Sequence, residues 1–349
     1  MLRLKKLKKS IQRNKLELHK LLKLERIPNC REHLYIESTS LCNLSCKFCA
    51  YRKKVSPKVT MENELFYDVI NHAVNMGYDD FGLTPITGEI FMDKSIFDKL
   101  QFLEDHPGVK SYHFFTNLTV INENRLSAIK SLKKLKNFNI SLYGHDCESF
   151  IAITQSTSKV YSRLINNIKT LVDNDGLNQE NIKIGLRTYR YFDFHKNQSD
   201  LVDLLKEFKH KQLGRIDIYK KGFNNWGGLI SQKDVEGLDL EVVEGNDTIR
   251  VGPCALIFYK LQILSDGRVN ACACRDVNGT LLIGDLKNNK LNEIISPHNP
   301  KYVELIQRQQ KGLFNNVCKS CDYYKSIYKD YTSYGRYNKK FMKLKDFIN

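Results

Sequence analysis

Three cysteines fall within eight residues, at Cys42, Cys46 and Cys49, directly after the short apolar run Leu34–Glu37. Their spacing limits the chain more than any other feature it has. Three thiolates this close cannot complete the tetrahedral shell of a zinc ion unaided. They can hold three irons of a cubane 4Fe–4S cluster, which leaves the fourth iron without a protein ligand. An open iron suits a cofactor that binds metal directly. Zinc binding and a fragment of a ferredoxin site are the alternatives that the three cysteines alone leave standing.

The chain holds ten cysteines in 349 residues. The amino-terminal MLRLKKLKKS lacks an apolar core followed by a small-residue cleavage site, so no secretory signal is expected and the default compartment is cytoplasmic. No run approaches ~18 apolar residues, so no membrane span is expected either. Disulfides rarely persist in that compartment, which turns the reading toward metal ligation. A second group supports it: Cys254-x12-Gly267-x4-Cys272, then Cys318-x2-Cys321. Four thiolates could close all four iron corners of a second cluster, and a zinc ribbon is the alternative. Cys274 competes with Cys272 as a ligand. Cys30 and Cys147 read as small buried residues.

Between the two groups the chain alternates short apolar runs with amphipathic segments. Strands are expected at Leu34–Glu37, Asp80–Thr84, Ser111–Phe115, Phe138–Leu142, Lys183–Arg187 and Arg215–Tyr219. Helical patterns lie near 61–76, 95–105, 123–134, 158–173 and 199–210. Such alternation builds a parallel sheet with helical crossovers. Six units are too few for a closed eight-unit barrel, so the fold class is α/β, a partial (βα)6 TIM-like barrel with its chemistry at the carboxyl ends of the strands. A smaller unit follows, in which Ser265-Asp266-Gly267 joins Lys260–Leu264 and Arg268–Cys272 as a hairpin. The expected division is a basic helix over 1–30, the barrel over 31–222, a connection over 223–250, the second unit over 251–325 and a tail over 326–349.

Lys and Arg exceed Asp and Glu by 55 − 39 = 16. Most of that excess is Lys spread along the chain, so it argues only weakly for an anionic partner. Residues 1–27 read as an amphipathic helix whose stripe Leu4, Leu7, Ile11, Leu18 and Leu22 packs on the domain body. The tail interleaves Tyr, Phe and Lys, a pattern that can bind single-stranded nucleic acid. No recognisable RNA-binding fold accompanies it, and a helix packing its aromatic face is the expectation.

The first cysteine spacing, with the aromatic Phe48 before the last cysteine, resembles the signature of the radical S-adenosylmethionine (SAM) superfamily. Further pieces extend the resemblance over residues 32–220. Thr87-Gly88-Glu89 is similar to that family's GGE turn for the methionine amino group, with Thr at the first Gly. Phe115-Thr116-Asn117 is similar to its T-N-G, but Leu118 replaces the Gly and a different turn is expected. Ser141 is the candidate for ribose and carboxylate contact, and Arg187 for the SAM carboxylate or a substrate anion. The second cysteine group resembles the twitch form of the SPASM extension, a β-hairpin plus helix carrying one auxiliary cluster on Cys254, Cys272, Cys318 and Cys321.

The resemblance implies SAM and two 4Fe–4S clusters as cofactors, reductive cleavage of SAM to a 5′-deoxyadenosyl radical, hydrogen abstraction from substrate, and electron transfer through the auxiliary cluster. It implies a flavodoxin- or ferredoxin-type electron donor. The expected substrate is a small polar metabolite, a sugar, cyclitol or nucleotide-linked sugar, because no sizeable peptide-binding module precedes the barrel. A peptide-modifying maturase, an RNA-modifying enzyme and a non-catalytic iron–sulfur carrier are the other readings. Substrate contacts are sought among Tyr143, His145, Arg187, Tyr189, Lys220 and the run Asn225–Gly228. His145 is the candidate general base, since its unperturbed pKa lies near neutrality.

Overall fold

The structure, a computed structural model, describes residues 2–28, 33–178, 181–245, 248–329 and 341–348. Its centre is one nine-stranded sheet. In chain order the strands are β1 (His33–Ile36), β2 (Asp80–Leu83), β3 (Ser111–Thr116), β4 (Leu135–Tyr143), β5 (Ile182–Arg187), β6 (Gly214–Tyr219), β7 (Gln262–Ile263), β8 (Arg268–Asn270) and β9 (Leu282–Asp285). The spatial order is β9-β8-β7-β1-β2-β3-β4-β5-β6. Neighbours from β7 to β6 run parallel, while β8 and β9 are antiparallel additions.

The crossovers carry helices α2 (Asn63–Asn75), α3 (Ile96–Asp105), α4 (Glu123–Ser127), α5 (Cys147–Thr154), α6 (Ser158–Asp173) and α7 (Asp200–His210), after an amino-terminal α1 (Leu2–Leu21). Each of the longer crossover helices buries one stripe, as Phe66, Val69, Ile70 and Ala73 do on α2. The strands answer with period two. Tyr112 and Phe114 of β3, Phe138, Ile140 and Leu142 of β4, and Ile182, Ile184 and Leu186 of β5 are buried. Their neighbours on the other face include Ser111, His113, Asn139, Ser141, Lys183 and Arg187. A parallel sheet covered on both faces would instead show unbroken apolar runs. The alternation therefore makes a sheet with one apolar side under helices and one polar, concave side. β6 pairs only with β5, and its residues are exposed or half-buried, so it ends the sheet as an open edge. This is the expected partial barrel.

The pattern near 123–134 gives a shorter helix than expected. After Ser127 the chain tightens into a 3-10 turn, Ala128–Ser131. Helix α5 was not anticipated from periodicity; it opens with a capping box in which Asp146 and Ser149 satisfy each other's backbone N–H groups. The second unit is also less separate than its sequence implied. Its Asp-Gly hairpin forms, with Gly267 at φ +89°. But β7 hydrogen-bonds in parallel to β1, so the hairpin continues the barrel sheet.

Helix α1 differs most from expectation. Leu4, Leu7, Ile11, Leu18 and Leu22 are each more than half exposed. The helix is anchored by another face, through buried Leu16 and a 2.8 Å hydrogen bond from the His19 ring to the Tyr328 carbonyl. Cys30 and much of the aromatic tail lie outside the described residues. No helix among the described residues is long and apolar enough to cross a membrane.

Candidate active site

A cavity of about 440 Å³ opens at the carboxyl ends of the parallel strands. The loop after β1 brings Cys42, Cys46 and Cys49 to its wall. Backbone bonds from three directions fix that loop. Ser45 and Lys47 donate N–H groups to the Thr154 and Ile153 carbonyls at the end of α5, at 3.1 and 2.9 Å. Ser40 pairs with Val59, and Asn43 reaches Thr119 and Asn117 beyond β3. Phe48 packs between Tyr143 and Phe223, with ring centroids 5.3 and 5.0 Å away.

Burial pushes all three thiols up, Cys42 to about 12; Glu89 and Cys49 add to the effect at Cys42, and Cys49 and Cys42 add to it at Cys46. Without metal these groups stay protonated; a cationic iron centre is what makes three adjacent buried thiolates tolerable. The donor set therefore fits a cluster that binds three sulfurs.

Thr87-Gly88-Glu89 forms the next wall. Gly88 has φ +117°, and a Cβ there would stand 2.5 Å from the Thr39 carbonyl oxygen. Only glycine lets this turn press against the cysteine loop. Glu89 is fully buried and accepts hydrogen bonds from the Thr116 hydroxyl and the Asn117 N–H, both at 2.6 Å. Burial outweighs these bonds and pushes its pKa up to about 7. Thr87 lines the same cavity with a buried hydroxyl that has no partner among the described residues. A buried orphan donor beside a carboxylate fits a polar ligand such as an amino acid moiety.

At the end of β3, Leu118 takes φ +59°. It holds the left-handed conformation a glycine would adopt freely, at a cost of about 1–2 kcal/mol. The expected change of turn thus does not move the residue out of that region. Buried Asn167 on α6 secures it by donating to the Leu118 and Ile121 carbonyls at 2.8 and 2.9 Å.

Ser141, Tyr143 and Arg187 also line the cavity. Arg187 donates to the Ser141 hydroxyl at 3.4 Å and lies over the Tyr219 ring. His145 does not line it. Its ring is buried against Phe192 at 4.7 Å and hydrogen-bonded to Thr188 at 2.6 Å, and burial pushes its pKa down. It sits one residue past the turn at Gly144, where the chain has left the strand end. Tyr189 stays with it outside the cavity wall. Lys220 is tied to the Phe192 carbonyl at 2.9 Å, and Lys221 faces the cavity in its place. Trp226 is half-buried, lines the cavity and donates its indole N–H to the Phe48 carbonyl at 2.9 Å.

Sequence reasoning missed several wall residues: Tyr35, His113, Lys260 and Arg275. For Tyr35 and His113 the signal was present, since both occupy concave-face positions of strands that had been placed correctly. Lys260 and Arg275 belong to the second unit and reach the cavity because β7 joins β1.

Cys254, Cys272, Cys274, Cys318 and Cys321 converge on one small apolar pocket with Leu256, Leu281 and Tyr324. Backbone N–H groups of Lys325 and Tyr323 point at the Cys254 and Cys321 sulfurs, at 3.5 and 3.3 Å. Arg250 ties the Cys318 and Cys321 carbonyls together at 2.6 and 2.7 Å. Burial pushes Cys254 up to about 12 and Cys321 up to about 11. Cys274 lines both this pocket and the larger cavity, and its sulfur accepts a bond from Arg275 at 3.3 Å.

This architecture is similar to that of several solved structures. BtrN in complex with AdoMet and 2-DOIA has a TM-score of 0.52 at 14% identity, over 84% of this chain and 93% of that one. Streptococcus suis SuiB bound to the precursor peptide SuiA has a TM-score of 0.54 at 15% identity, over 83% and 70%. Hexahistidine-tagged anSMEcpe with bound AdoMet has a TM-score of 0.51 at 16% identity, over 85% and 89%. At these identities the likeness shows a shared fold. Among curated proteins, none matches the sequence. The SPASM iron–sulfur cluster-binding domain matches residues 254–322. The Radical SAM superfamily matches residues 36–215, which is more than half of the chain and includes all three cysteines of the first loop. The chain therefore belongs to the Radical SAM superfamily, as an enzyme that carries SAM, a SAM-binding 4Fe–4S cluster and a further iron–sulfur centre in its second unit.

Proposed function

We propose that this enzyme oxidises or otherwise modifies a small polar metabolite, such as a sugar, a cyclitol or a nucleotide-linked sugar. One observation carries the reading. A single cavity of about 440 Å³ is lined both by Cys42, Cys46 and Cys49 and by Lys260, Cys274 and Arg275 of the second unit. SAM shares that volume, so the space left for a substrate group is that of a small molecule.

When bound, SAM and the clusters supply a 5′-deoxyadenosyl radical and an electron acceptor. The chain's own residues position and enclose. Cys42, Cys46 and Cys49 hold the first cluster. Glu89, with Thr87 and Gly88, takes the methionine ammonium. Asn117 and Ser141 face the rest of the cofactor, and Arg187 takes its carboxylate. Phe48 packs the cysteine loop. Cys254, Cys272, Cys318 and Cys321 hold the auxiliary cluster. His145, buried outside the cavity wall and bonded to Thr188, is given no part in this reading. The reductant is a flavodoxin- or ferredoxin-type protein.

The fold does not choose the substrate, because BtrN was solved with 2-DOIA and SuiB with a peptide. The test is deuterium transfer. Reconstituted, reduced enzyme is given SAM and candidate metabolites deuterated at their carbinol carbons, and 5′-deoxyadenosine is analysed by mass. Enrichment from a sugar or cyclitol is expected. Enrichment from a deuterated peptide, with none from any metabolite, would overturn the reading.

A further inference from the structure

We infer that the cavity wall formed by Lys260 of the second unit and Lys221 after β6 is an anion subsite, so that the substrate carries a phosphate or carboxylate group. The inference rests on the proposed small-metabolite reading and narrows it. Arg187, Lys221, Lys260 and Arg275 line the cavity, and Glu89 is the one carboxylate among its described wall residues. Glu89 is already held by Thr116 and Asn117.

The cations are not equivalent. Arg275 forks onto Asp322 at 2.7 and 3.2 Å and is compensated. Arg187 lies beside Ser141 at the SAM side. Lys260 is different. Its ammonium is half-buried, 3.0 Å from the Tyr35 hydroxyl and 5.0 Å from the Tyr35 ring centroid. Among the described residues neither Lys260 nor Lys221 has a carboxylate partner. Against the effect of burial, Tyr35, Cys274 and Tyr323 favour the charged form of Lys260 and together push its pKa up, so the group enters the cavity as a cation with no carboxylate beside it among the described residues. Lys221 sits at the exposed rim, where a long cationic chain can meet the same anion as it enters. An anionic group fixed between Lys260 and Lys221 leaves the rest of a small substrate lying toward Ser141 and the cysteine loop.

The cluster-loaded enzyme, saturated with SAM so that the Arg187 side is filled, is titrated by calorimetry with inorganic pyrophosphate and, separately, with malonate. The stronger of the two probes identifies the group as phosphate or carboxylate. Saturable binding is expected, weakened tenfold or more by Lys260→Met, restored by Lys260→Arg, and weakened less by Lys221→Met. Equal affinity in wild type, Lys260→Met and Lys221→Met would overturn the subsite. So would an equal loss in Lys133→Met, an exposed lysine before β4, because binding would then be general surface attraction. A Lys260→Met protein with unchanged pyrophosphate and malonate affinity but a shifted auxiliary-cluster potential would overturn it too, by assigning the lysine to the cluster. Lys260-dependent anion binding in an enzyme that transfers deuterium only from peptides would keep the subsite and remove the small-metabolite reading. Turnover of a neutral sugar without such binding would do the reverse.

Discussion

Trp226 donates its indole N–H to the carbonyl of Phe48 at 2.9 Å, so the connection after β6 reaches back and pins the loop that carries the three cysteines. The bond is partly buried, and a hydrogen bond of this kind contributes about 1 kcal/mol net. Trp226→Phe keeps most of the ring contact and removes the donor. We expect a lower urea midpoint with an unchanged slope, and faster bleaching of the first cluster in air. Because Trp226 is the single Trp, circular dichroism follows unfolding. An unchanged midpoint together with an unchanged bleaching rate would show that the pin does not hold the loop.

Glu89, with the SAM contact proposed for it, should make stability and cofactor binding respond to pH in opposite senses. Burial raises its folded pKa from the ordinary 4.5 to about 7, so the folded chain binds this proton more tightly than the unfolded chain. The group's contribution is fully present below about 4.5 and is lost as pH rises through about 7. In the cluster-free, SAM-free protein, Glu89→Gln should therefore raise Tm at about pH 8, with the difference shrinking toward about pH 4.5. SAM affinity should behave the other way. In the proposed contact the methionine ammonium needs the ionised Glu89 carboxylate, so the Kd of wild type should rise as pH falls below about 7. Glu89→Gln should bind SAM weakly at every pH. A Glu89→Gln Tm below that of wild type at about pH 8 would contradict the burial argument.

The barrel was legible because its strands alternate and its helices keep one stripe; six strands fell within a few residues of their expected places. The cysteine loop was legible because spacing carries the chemistry of three thiolates. Two things were not. The parallel pairing of β7 with β1 joins residues far apart in the chain, and nothing local in Gln262-Ile263 specifies it. Lys260 and Arg275 were consequently missed as cavity residues. His145 lies outside the cavity wall for a local reason. Strand periodicity gives no information beyond Gly144, where φ +77° turns the chain and carries His145 toward Phe192 and Thr188. The stripe on α1 shows that periodicity finds a face without saying what covers it.

Glu37, just past β1, couples the cysteine loop to the second unit. Its carboxylate accepts from the Ser265 hydroxyl at 2.8 Å and stands 3.8 Å from Lys54 Nζ, with both ionic side chains almost fully buried. Burial pushes Glu37 up and Lys54 down, and each charge opposes the other's shift. Removing one partner of a buried pair costs about 3–5 kcal/mol, whereas removing both charges costs far less. Lys54→Met should lose stability on that scale, and Lys54→Met combined with Glu37→Gln should regain a large part of it. Urea unfolding of the four proteins in this cycle gives the coupling. Additive losses would mean that the two residues act separately.

Cys272 and Cys274 stand two residues apart, yet their surroundings separate them. Cys272 lines only the small pocket with Cys254, Cys318 and Cys321. Cys274 lines that pocket too, but it also faces the active cavity, and its sulfur is already engaged by Arg275 at 3.3 Å. A sulfur that must close the fourth corner of a cluster has to turn fully into the apolar pocket. Cys272→Ser should therefore cut bound iron by about half, the share of one cluster of two. Cys274→Ser should keep the iron content and alter only the auxiliary cluster's spectrum, through its loss as a neighbour. Anaerobic iron and sulfide analysis with EPR of the reduced proteins reads both outcomes. Iron lost in Cys274→Ser and kept in Cys272→Ser would exchange the two roles and place the auxiliary centre against the substrate cavity itself.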